Sequence, residues 1–217
     1  YEQLESLSLF DFSGYGPKPS VFHLVLANSR WQVNNNQLMR SQQTPNLDDH
    51  CGSNFTYRDL IECGETWQKI KINNNPIQAD SYTALYELAK NILDPVIDYY
   101  GMISLTYGFA SPALTKHIKG RIAPKLDQHS AYEKNKKNEY ICPRLGAAVD
   151  FIVEDENILE VVEWIKDNLV FDRLYFYGVD RPIHISYNYL YENKKEIIEM
   201  RLTESGRVIP KKWTSKK

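Results

Sequence analysis

Cysteine is scarce in this chain of 217 residues: Cys51, Cys63 and Cys142 are its only three. An odd, low count without close pairing speaks against a disulfide-built secreted domain and fits a reducing, cytoplasmic setting. Long apolar runs are missing as well. Nothing approaches the roughly 18–20 residues of a membrane span, so no membrane partner is expected. A leader is not visible either, because Tyr1-Glu2-Gln3-Leu4-Glu5 is acidic and no long apolar stretch follows. The start at Tyr1 rather than Met suggests a domain of a longer chain. Charge of one sign is also absent: 26 basic residues stand against 28 acidic ones, a formal net charge of -2. That balance speaks against a nucleic-acid binder that works by bulk charge, while a local basic patch leaves nucleic acid open as a partner. The sequence has no internal repeat.

What is present suffices for a folded body. Apolar residues make up 42% and charged residues 25% of the chain, the balance of a soluble globular protein. Residues 1–54 read as an N-terminal extension. Val21-Phe22-His23-Leu24-Val25-Leu26 looks like a buried strand, and the polar stretch from Asn28 to His50 looks like loop. Thr56 followed by Asp59 starts a helix through Leu60, Ile61 and Trp67 that Gly64 interrupts. Leu85, Leu88, Ile92 and Val96 share one helical face, with Asp80 or Ser81 as cap and Pro95 as kink or end. Met102–Tyr107 and Gly146–Val153 read as strands. Ile158, Val161, Val162, Ile165 and Leu169 mark a second amphipathic helix. Arg173–Tyr177 and Ile183–Tyr187 then pair through a turn at Gly178–Pro182. The pattern predicts an α+β fold: helices packed on a mostly antiparallel sheet over residues 55–205, with 206–217 a basic, frayed tail.

Three residues stand out chemically. Asp150 interrupts an apolar strand, where a carboxylate is costly unless paired, hydrogen-bonded or metal-bound. His184 alternates with Ile183 and Ile185 and therefore points to the opposite face. His129 follows Asp127-Gln128 in a polar segment. Together the three would give zinc its protein ligands and leave a position open for water, which the metal makes acidic enough to attack a carbonyl.

An ordered set of motifs supports this reading. They are Phe55-Thr56-Tyr57-Arg58-Asp59-Leu60, Asn75-Pro76, Leu93-Asp94-Pro95-Val96, Tyr107-Gly108-Phe109-Ala110-Ser111-Pro112-Ala113-Leu114, Gln128-His129, Gly146-Ala147-Ala148-Val149-Asp150, Phe171-Asp172-Arg173-Leu174 and His184-Ile185-Ser186-Tyr187. Over residues 55–187 they resemble the zinc D-Ala-D-Ala carboxypeptidase and L-alanyl-D-glutamate endopeptidase family. The resemblance implies a LAS or hedgehog-like zinc peptidase fold. It also implies zinc on His129, Asp150 and His184, and a peptide or small-molecule substrate of the cell-wall kind cleaved at an amide bond.

The sequence departs from the family in informative places. Ala110 stands where the family carries a substrate-binding Arg. The family's catalytic Glu, three before the last histidine, is Arg181 here, which leaves the neighbouring Asp180 as the candidate base. Asp127 is a candidate partner that orients His129. Residues 130–144 form an insertion expected to overhang the metal. Within it, Arg144 could replace the missing Arg and Cys142 could close the coordination sphere, while its charge run Glu133–Glu139 reads as a solvated loop. Ser111, Arg144 and Tyr177 are the candidates on the substrate side. The rival expectation is a catalytically altered module that keeps fold and metal site and binds or processes a nucleotide or nucleic acid.

Overall fold

The structure, a computed structural model, describes residues 44–119 and 124–213. The strand expected at Val21–Leu26 and most of the polar stretch after it lie outside those residues. Strands β1 (His50–Cys51) and β2 (Phe55–Thr56) form a small antiparallel pair. Cys51 is fully buried, so the folded body already includes residues ahead of the boundary expected at 54/55.

Capping chemistry starts the first helix. Thr56 Oγ1 accepts from the Asp59 N–H at 3.3 Å while Asp59 Oδ2 accepts from the Thr56 N–H at 2.7 Å, a complete capping box. It opens α1 (Tyr57–Glu62); Gly64 breaks the helix as expected and leads into α2 (Glu65–Ile70).

The long helical segment differs from its reading in two ways. α3 (Ala79–Leu88) runs through a π-helical turn (Ala89–Leu93) into α4 (Asp94–Tyr100), so Pro95 does not end it. The wider turn lets the Asp94 N–H reach the Ala89 carbonyl. Pro95, which has no N–H to place, then sits in the first turn of the new segment. The cap is Gln78, ahead of the expected Asp80 or Ser81, and the orphan donors there are met from the insertion. Glu133 Oε1 accepts from the Ile77 N–H (3.0 Å), the Gln78 N–H (3.1 Å) and the Ser81 hydroxyl (2.9 Å). The start of the supposedly solvated charge run is therefore a buried carboxyl group, 1% exposed, at the positive end of a helix. Glu133→Ala leaves these donors unmet. It is expected to cost about 2–3 kcal/mol, seen as a lower denaturant midpoint at unchanged slope.

Among the described residues six strands form the main sheet: β3 (Ser104–Tyr107), β4 (Ala147–Ile152), β5 (Arg173–Phe176), β6 (Ile183–Tyr187), β7 (Glu196–Leu202) and β8 (Val208–Lys212), in the order β3-β4-β6-β5-β7-β8. The expected mostly antiparallel sheet is a mixed one, because β5 and β7 run parallel. The reason lies in residues 188–195. They carry the chain from β6 over the start of β5, where the Lys195 and Glu196 N–H groups bond the Phe171 and Asp172 carbonyls. β7 thus adds to the open side of β5 in the direction of β5 itself. β8 was expected to fray; instead it pairs antiparallel with β7, and Trp213 packs edge-on against Phe176.

The sheet has two unlike faces. Val149, Phe151, Leu174, Ile183 and Ile185 are fully buried on the core side, where α3 lies against β4 and β6. α6 (Ile158–Asn168) buries Ile158, Val161, Val162 and Ile165 in the same core. The alternating residues face the other way. Register lines them up: Tyr107 opposes Asp150, Asp150 opposes His184, and His184 opposes Tyr175. All three cysteines are free thiols. Among the described residues, no helix is long and apolar enough to cross a membrane.

Candidate metal centre

The sheet contributes two of the clustered side chains by register alone. Asp150 on β4 and His184 on β6 are direct cross-strand neighbours, and Asp150 Oδ1 lies 2.7 Å from His184 Nδ1. The third comes from a short 3-10 turn, Gln128–Ser130. Its position is secured on several sides. Asp127 Oδ1 accepts the His129 N–H at 3.0 Å, and the Ala110 N–H donates to the His129 carbonyl at 2.9 Å. Gln128 Nε2 donates to the Leu145 carbonyl (2.7 Å) and to Asp172 Oδ2 (3.1 Å), and Asp172 is paired with the buried Arg173. The sequence marks Gln128 only as the neighbour of His129. Its anchoring role was not legible, because its partners lie far along the chain.

The result is a triangle of donor atoms. His129 Nε2 is 3.2 Å from Asp150 Oδ1 and 3.1 Å from His184 Nδ1, and the three atoms lie within 4.8 Å of one another. The rings are held edge-on, His129 between Tyr107 and His184, and His184 against Tyr175. Both histidines are nearly inaccessible, at 5% and 9%. Burial pushes the Asp150 carboxyl up, but the imidazoles of His129 and His184 outweigh it and hold the group well below the usual carboxylate range. Whichever tautomers the rings adopt, one side of such a triangle sets two N–H groups or two lone pairs against each other, a poor hydrogen-bond set. The same three atoms make a good metal set. Ligand atoms about 2.0–2.1 Å from one tetrahedral ion sit roughly 3.3 Å apart, close to the two sides that meet at His129 Nε2, while the Asp150–His184 side is shorter at 2.7 Å.

The other expected residues are distributed unevenly. Asp127 is buried and supports His129 through its backbone rather than its ring. Tyr177 stands partly exposed on the cluster side. Burial, Asp150, Tyr175 and Asp127 push its phenol up to about 12, so it remains a neutral O–H donor at physiological pH. Arg144 reaches Tyr175, the ring packed on His184. Ser111 is buried and caps the short helix α5 (Pro112–Thr115), where Ser111 Oγ accepts the Leu114 N–H. Asp180 lies exposed in the β5–β6 turn, with no hydrogen bond or ion pair among the described residues. Cys142 is buried; its thiol donates to the Lys125 carbonyl and is not part of the ligand cluster. The chain matches no family model, no curated protein and no solved structure.

Proposed function

We propose that this chain is a zinc-dependent hydrolase of amide or peptide bonds, on a divergent LAS or hedgehog-like zinc peptidase fold. The observation that carries the reading is the convergence of His129 Nε2, Asp150 Oδ1 and His184 Nδ1, from three separate segments, into one triangle. Two imidazoles with one carboxylate suit zinc better than magnesium or calcium, which prefer all-oxygen sets. When bound, such an ion supplies Lewis-acid polarisation of a carbonyl and acidity to a water molecule.

The chain's own residues have distinct tasks. Asp127 holds the His129 backbone, and Asp150 orients toward both imidazoles. The neutral Tyr177 phenol, on the same side as both carboxylates, is placed to donate a hydrogen bond to a substrate oxygen. Asp180, exposed in the β5–β6 turn, lends no support to its role as base.

Two features favour a second reading, a module that keeps the metal and processes a nucleotide or nucleic acid: Ala110 in place of the family Arg, and the exposed Asp180. Zinc analysis with digestion of purified sacculi separates the two. About one zinc per chain with released muropeptides supports the hydrolase. Zinc with intact sacculi favours the second reading, and a folded chain that takes up no zinc overturns both.

A further inference from the structure

Arg144 ends the insertion and lies half-buried beside the cluster. Its Nη1 donates to the Leu126 carbonyl and to the Tyr175 phenol oxygen, each at 3.2 Å. Leu126 leads into the turn that carries His129, and Tyr175 packs edge-on against His184 with ring centroids 5.1 Å apart. The guanidinium therefore stands one ring away from the metal ligands.

Its partners are unusual in kind. Both are neutral, and among the described residues no carboxylate pairs with Arg144. The Nη1 protons are taken, whereas the Nε and Nη2 protons meet no acceptor among the described residues. The Tyr175 oxygen accepts from Arg144, which leaves its own O–H proton to donate. This corner thus offers several donors, one of them a fixed positive charge, and among the described residues no acceptor for the Nε and Nη2 protons. Arginine in such a setting reads planar anions through two parallel hydrogen bonds.

We propose that Arg144 and Tyr175 form a subsite for an anionic group of the substrate, a carboxylate or a phosphate, beside the metal cluster. The proposal rests on the metal-dependent reading above and narrows it: the bond acted on lies next to a negative charge. The insertion, absent from the family pattern at this length, supplies the group that reads that charge.

A plain structural role for Arg144, clasping the 126–129 segment to β5, predicts no ligand response, so anion binding is the deciding measurement. Acetate and inorganic phosphate are titrated separately into the full chain, with zinc content measured on the same samples. The Nε–H resonance of Arg144 reports the location, and calorimetry reports the affinity. The expected result is a saturable shift of that resonance, and the tighter of the two anions identifies the group. Arg144→Gln should weaken binding at least about tenfold, and Arg144→Lys less, because it keeps charge without the fork. Tyr175→Phe keeps the ring against His184 and should weaken binding severalfold at unchanged zinc content. It also guards against misfolding of the Arg144 variants. An Arg144 resonance unmoved by either anion overturns the subsite even with zinc bound. So does equal affinity in the wild type, Arg144→Gln and Tyr175→Phe. A responsive Arg144 in a chain that takes up no zinc overturns the hydrolase reading and leaves the anion subsite standing.

Discussion

His129→Ala, purified without chelator, should carry almost no metal, whereas the wild type should carry about one ion per chain. The loss follows from the way the site is built. Asp150 and His184 are fixed by sheet register and remain as a pair 2.7 Å apart when the third ligand is gone. Two protein ligands do not hold zinc against water as three do. Losing even an outer partner of a ligand costs 10–100-fold in affinity, so losing a ligand is expected to cost at least about a hundredfold. His184→Ala should behave alike. His117→Ala, on an exposed histidine that is not one of the clustered residues, should keep the metal. Acid should mimic the substitution. An imidazole binds metal only when neutral, so protons compete with the metal for the same nitrogens and retention falls as pH is lowered. Asp150 adds nothing to that step, because its carboxyl stays ionised well below the usual range. Undiminished metal in His129→Ala would place the ion elsewhere and remove the basis of the hydrolase reading.

Gly108→Ala should cost about 3 kcal/mol or more in unfolding free energy and weaken metal binding as well. A Cβ at position 108 would lie 1.9 Å from the Leu60 carbonyl oxygen and 2.9 Å from its carbon. Neither backbone can retreat. The Phe109 N–H donates to that same Leu60 oxygen at 2.8 Å. The buried Asn74 ties the region further: its Nδ2 donates to the Ile61 and Phe109 carbonyls, and its Oδ1 accepts the Ser111 N–H. One residue on, the Ala110 N–H holds the His129 carbonyl. A displaced 108–110 segment therefore pulls on the turn that carries a ligand. Gly206→Ala is the contrast, since its Cβ would meet nothing within 4 Å among the described residues. Only the strain of its positive φ remains there, about 1 kcal/mol. Denaturant unfolding of both variants, with a metal titration of each, checks the prediction. A Gly108→Ala chain as stable as the wild type would show that this contact can relax.

The outcome at individual residues separates local from non-local information. Strand β6 appears at the expected residues, Ile183–Tyr187, and α6 buries the expected Ile158, Val161, Val162 and Ile165. The Thr56–Asp59 capping box is also where its spacing put it. These signals are short-range: a period of two, a period near 3.6, and a reciprocal hydrogen bond three residues apart. Glu133 shows the opposite case. It sits in a run of charged and polar residues that reads as solvated, yet it is buried against the start of α3, more than fifty positions earlier in the chain. Nothing in its neighbours carries that information.

By itself, then, the sequence determined the α+β class, the main helices and strands, and the opposition of His184 to its apolar neighbours, because backbone geometry and side-chain alternation act within a few residues. It also marked Asp150 as anomalous, since a carboxylate in an apolar strand must find compensation. Tertiary structure alone decided the parallel placement of β7, the continuation of the helix past Pro95, the burial of Glu133 and the donor-rich corner at Arg144. It also decided that His129 meets Asp150 and His184 at about 3 Å. Those outcomes depend on which distant backbone groups are left without partners once the sheet has closed, and satisfying those groups is a property of the whole packed chain.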